Sequence, residues 1–123
     1  MKYNEQTRRY FETAARAGVL SGPVVYRGAA GNREYGTWVQ FDVQTASGIL
    51  KDARFLAFGC PHTIAVAAWV AEQAVGQPVI RRLPDSVQAI SLQFAVPVEK
   101  LGRLLIVEDA WLAAIDAALK VEQ

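Results

Sequence analysis

The chain holds one cysteine, one histidine and one methionine. A lone cysteine excludes an internal disulfide and fits a reducing compartment. With a lone histidine beside it, it also excludes a four-ligand metal site made only of Cys and His from a single chain. Neither sign of charge prevails. Thirteen Lys and Arg stand against twelve Asp and Glu, a formal net charge of +1. That balance offers no electrostatic footprint for nucleic acid or an anionic membrane surface. No apolar run approaches the roughly 18 to 20 residues of a membrane span. The opening residues lead into a charged segment, not the apolar stretch of a signal peptide, so the expected compartment is the cytoplasm. What is plentiful is core material. Hydrophobic residues make up 52% and charged residues 20% of 123 residues, which suits one domain over 1–123 with one core.

Punctuation divides the chain. Tyr3 to Ala17 reads as a helix, with Asn4 as N-cap, Gly18 past its end and Tyr10, Phe11 and Ala14 as core candidates. Pro23 to Arg27 reads as a short strand. Gly28 to Gly36, with three glycines and Asn32, reads as a loop. Thr37 to Gln44 alternates: Val39, Phe41 and Val43 share one face, and Gln40, Asp42 and Gln44 the other. Thr45 to Gly48 is turn material, and Ile49 to Phe58 is the next strand, so the pair predicts a hairpin. Thr63 to Val75 is apolar nearly all round and contains Trp69, which predicts a buried helix ending at Gly76. After a connector, Pro84 to Phe94 reads as a shorter helix with Val87, Ile90 and Leu92 for packing. Ala95 to Leu101 reads as a loop. Gly102 to Val121 is the last helix, with Leu105, Leu112, Ile115 and Leu119 as core candidates. Segregated strands and helices predict an α+β fold, a three-stranded antiparallel sheet packed with helices.

Chemistry concentrates at Gly59-Cys60-Pro61-His62. The cysteine lies at a strand end and a helix start, where unpaired amides and the helix dipole favour a thiolate. His62 follows at Cys-x-His spacing, so the pair supplies either two ligands or a thiol and a base. The alternative is a small buried cysteine and a capping or surface histidine. Glu34, Glu108 and Asp109 are further acid–base candidates, the last two also fitting the solvated first turns of a helix. The glycines of 28–36 are not a phosphate-binding fingerprint, because the strand–GxGxxG–helix order is missing. Trp38, Trp69 and Trp111 read as core or interface anchors.

Asp52-Ala53-Arg54-Phe55 runs into Gly59-Cys60-Pro61-His62-Thr63-Ile64-Ala65. This resembles the IscU family, the NifU N-terminal-type scaffolds on which iron–sulfur clusters are assembled. Tyr3-Asn4-Glu5, Phe11-Glu12 and Glu108-Asp109-Ala110 resemble other parts of that family's pattern. The resemblance implies a scaffold and not an enzyme, one that handles an iron–sulfur cluster or a single iron or zinc ion. It also implies a cysteine desulfurase as sulfur donor and an assembly chaperone as partners. The chaperone motif would fall at Val96-Pro97-Val98-Glu99-Lys100, making Val96, Pro97 and Lys100 partner-binding candidates.

The family's ligand set is three cysteines with a nearby Asp or His. Only the middle one, Cys60, stands here. The first falls in 31–35, where Glu34 is the available carboxylate. The His-Cys pair before the last helix matches Gly102-Arg103. One thiolate does not hold a cluster that commonly takes four. By this match Arg33 and Arg103 flank the old site, where they would repel Fe²⁺ or Zn²⁺ and stabilise an anion or persulfide. The resemblance thus leaves three roles open: a degenerate scaffold, a non-catalytic binding or regulatory module, and a persulfide carrier through Cys60.

Overall fold

The computed structural model describes residues 2–122. Helix α1 (Glu5–Thr13) leads into strands β1 (Tyr26–Asn32), β2 (Thr37–Ala46) and β3 (Ile49–Phe58). Helices α2 (Pro61–Ala74), α3 (Val87–Gln93) and α4 (Leu101–Glu122) follow, and 3₁₀ turns occupy Arg33–Tyr35 and Val98–Lys100. The strands form one antiparallel sheet in the order β1-β2-β3. The α+β meander expected from the segregated elements is therefore present.

The alternation in β2 does what its period requires. Val39, Phe41 and Val43 are fully buried and face the helices. Phe41 lies edge-on to Trp111 of α4, ring centroids 5.1 Å apart. Helix α4 packs on β1 and β2, α2 packs on β3, and α1 packs on α2. The all-round apolar character of 63–75 has the predicted result, since Ala65 to Ala71 are all buried.

Several boundaries differ from the sequence reading. Asn4 caps α1 as expected, its side chain accepting from the Thr7 amide, but the helix stops at Thr13 because Ala14 turns left-handed. Gly18 is thus not the terminator. Residues 14–22 instead run along the sheet: the Gly18 amide donates to the Phe55 carbonyl and the Phe55 amide to the Arg16 carbonyl. The segment 28–32 is strand, not loop. Gly28 sits under α4 so closely that a Cβ would strike the backbone of Ala113, Ala114 and Ala110. Glycine here serves close approach and not a turn. Helix α3 starts only after Ser86, whose hydroxyl accepts from the Ala89 amide. Phe11, Leu92 and Leu105, offered as core residues, are exposed on helix faces that nothing covers among the described residues. Leu104 and Val107 are buried in α4.

Asp42, expected on the solvent face, is buried. Arg27 grips it with two bonds, of 2.7 and 2.9 Å, and the Leu20 amide donates to it at 3.0 Å. The loop from α1 thereby lies against the polar face of the sheet.

Two outcomes follow from this packing. Gly28→Ala is expected to cost about 1–3 kcal/mol, because α4 must lift off β1; denaturant unfolding measures it. The second concerns acid. Burial pushes the Asp42 carboxyl up, but Arg27 and the Leu20 amide outweigh it and hold the pKa below the ordinary carboxylate value. A depressed folded pKa gives stability that is present above the unfolded pKa of about 4 and is lost as pH falls through the folded value. Melting temperatures from pH 5 downward are expected to fall more steeply for the native chain than for Asp42→Asn.

Candidate functional site

Strand β3 ends at Phe58, and Gly59 passes close to Thr63, where a Cβ would lie only 3.1 Å from the hydroxyl oxygen. Cys60 is the N-cap of α2 in extended conformation, with Pro61 at the first helical position. Its sulfur is partly exposed and lies 3.6 Å from Thr63 Oγ1. From the start of α4, Arg103 Nη1 donates to the sulfur at 3.2 Å. The N-terminus of α2 and a side chain from the first turn of α4 therefore meet at one thiol.

Electrostatics follow the geometry. Burial pushes the Cys60 thiol up. The Thr63 amide and hydroxyl, the His62 amide and the Arg103 charge act against it, and the net pKa falls below the ordinary thiol value. His62 is not the surface or capping group its position allowed; it is 3% exposed. Its ring meets Tyr3 edge-on at 4.8 Å, and Nδ1 has no hydrogen-bond partner. Burial, then Lys100, then Arg103 push the imidazole pKa below its ordinary value. Lys100 lies over Tyr3, 5.7 Å from the ring centroid.

The structure thus brings Cys60, His62, Arg103 and Lys100 to one corner. It places two other candidates apart. Arg33 stacks over Trp38 at 4.4 Å, and Glu34 is exposed on the 3₁₀ turn, its amide bonded to Asn32. Both stand near the end of the sheet that carries the thiol, because Trp38 is the register partner of Phe58. A groove of about 420 Å³ runs between that turn and α4, lined by Asn32, Tyr35, Thr37, Glu99 and Arg103. Val96 packs against the core, while Pro97 caps the 3₁₀ turn that leads into α4. Thr63 escaped the sequence reading. Its signal was the Cys60-x-x-Thr63 spacing, which sets a side chain three residues past an N-cap.

The donor set does not fit an iron–sulfur cluster held by this chain alone. Among the described residues no three His, Cys, Asp or Glu converge, and a guanidinium occupies one side of the single thiolate. No helix in the described residues is long and apolar enough to cross a membrane.

A small antiparallel sheet packed with helices, with a thiol where β3 meets α2, defines an α+β domain with one candidate reactive group. Residues 2–121 match the model of the NifU-like N terminal domain, and the chain belongs to that family. It is 28% identical over 115 residues to iron sulfur cluster assembly protein 1 of Trachipleistophora hominis, covering 92% of this chain and 83% of that one. It is 29% identical over 80 residues to the IscU of Plasmodium falciparum, covering 65% and 49%. Over 77 residues it is 29% identical to the mitochondrial assembly protein 1 of Debaryomyces hansenii, covering 63% and 43%. The matched stretches thus span less than half the length of the last two relatives. Among solved structures, a protein of Fervidobacterium islandicum AW-1, provisionally assigned as a scaffold for the SUF system, superposes with a TM-score of 0.74. It shares 14% identity, with 92% and 96% of the chains covered. The N-terminal NifU-like protein of Brucella abortus gives 0.55 at 16% identity, covering 95% and 89%. At such identities these two speak for the fold.

The thiol gives a direct measurement. The pH midpoint of Cys60 alkylation is expected below that of an unstructured cysteine peptide. Arg103→Ala is expected to raise it, because the charge that favours the thiolate is removed. Mass-spectrometric alkylation rates across pH check both.

Proposed function

We propose that the chain serves iron–sulfur cluster assembly as a scaffold-like, non-enzymatic member of its family that receives sulfur on Cys60. The observation that carries this reading is the Arg103–Cys60 contact of 3.2 Å at the start of α2. Family membership and relatives named for cluster assembly support the setting.

In the transfer, the Cys60 thiolate attacks the outer sulfur of a persulfide on a cysteine desulfurase. One S–S bond breaks and another forms. The donor leaves as a thiolate, and Cys60 carries the persulfide. Arg103 holds the anion before and after the step, and Cys60 is exposed enough to be reached by the donor. A cluster, or a single iron or zinc ion, would need further ligands from another chain.

A binding or regulatory module is the second reading. It is favoured by Val98, 81% exposed beside Pro97, and by Leu105, 50% exposed one turn into α4. Those apolar groups suit an assembly chaperone at Val96, Pro97 and Lys100.

Incubation with a cysteine desulfurase and cysteine, followed by intact-mass measurement, tests the first reading. A gain of one reducible sulfur atom is expected, slower in Arg103→Ala and absent in Cys60→Ser. Absence of the gain in the native chain, with the desulfurase shown to be active, leaves the binding-module reading.

A further inference from the structure

We propose that the corner formed by Cys60, His62 and Arg103 is an anion-selective site, one that admits small anions to the sulfur and turns divalent metal ions away. The fold places the thiol where relatives of this class are expected to handle metal, yet the side chains present carry the opposite preference.

Three observations on different residues support this. Arg103 Nη1 stands 3.2 Å from Cys60 Sγ. A metal ion bound to that sulfur would sit at about 2.3 Å from it and within a few ångströms of a guanidinium that does not deprotonate. The second is His62. The residue is 3% exposed, and its Nδ1 is buried and unpartnered. Unpaired buried nitrogens are rare and point to a missing partner. His62 stands in the first turn of α2, two residues past the Cys60 cap that Arg103 contacts. A neutral imidazole carries one N–H, and Nδ1 is the ring nitrogen that lacks a partner. The third is the backbone. Cys60 caps α2, so the positive end of that helix faces the sulfur, and Lys100 adds its charge to the His62 side.

The surrounding acids do not cancel this. Glu99 and Arg103 line the same groove, but no ion pair joins Glu99 to Arg103 among the described residues. The contact of Arg103 is the sulfur.

Selectivity can be read with two alkylating agents of similar size. Iodoacetate is an anion and iodoacetamide is neutral. The ratio of their rates at Cys60, divided by the same ratio for a free small thiol, is expected to exceed one by at least about threefold at low salt. Arg103→Lys is expected to retain the preference, since it keeps the charge. Arg103→Gln and Arg103→Ala are expected to lose it, with circular dichroism confirming the fold. In parallel, Co²⁺ is titrated anaerobically and the thiolate-to-cobalt absorption followed. The native chain is expected to bind at least about tenfold more weakly than Arg103→Ala. A normalised ratio of one in the native chain overturns the proposal. So does stoichiometric Co²⁺ binding by the native chain that Cys60→Ser abolishes, or equal Co²⁺ affinity in Arg103→Ala. Neither readout involves a desulfurase, so the anion site and the sulfur-receiving role fail or stand separately.

Discussion

The missing side chain of Gly28 sets the spacing on which the rest of the molecule is built. Helix α4 rests its backbone on β1 at that residue, and any Cβ there would meet Ala110, Ala113 and Ala114. The close seat lets Trp111 reach the ring of Phe41 and leaves Ala114, Ile115 and Ala118 fully buried. It also fixes where the helix begins. With α4 pinned near its middle, Arg103 is carried to the end of β3, against the cysteine that opens α2. A packing requirement in one strand thus positions a charge three turns along a helix.

The parts of this arrangement that follow from period were legible in the residues. Val39, Phe41 and Val43 declared the sheet face, and the uninterrupted apolar run after Pro61 declared a buried helix. Glycine was the source of error. In the stretch from Gly28 to Gly31 it suggested a loop, although the strand there needs small residues beneath a helix. Asp42 misled for the opposite reason. Its place in the alternation is polar, yet Arg27 and the Leu20 amide bury it, and neither partner is near in sequence. Leu92 and Leu105 show the limit of counting apolar residues on a helix when the helix rotation is unknown.

The candidate site was legible in pieces. Cys60 stood out because a Gly-Cys-Pro junction at a strand end has few structural purposes, and alignment to the family pattern put Arg103 opposite it. The burial of His62 was not readable, since a residue in a first helical turn is as often exposed. It depends on Tyr3 folding back over the ring and on Lys100 closing over Tyr3. Arg33 is bound to the indole of Trp38 and not to the sulfur, a choice made by side-chain reach that one-dimensional matching does not see.

That last contact has a practical consequence. Trp69 and Trp111 are shut inside the core, while Trp38 is only partly buried and lies beneath a guanidinium, on the strand position paired with Phe58. A cation over an indole face perturbs its emission, and anything that draws Arg33 away would alter it. The chain therefore carries its own optical reporter at the end of the sheet nearest the thiol, set against two tryptophans buried in the core.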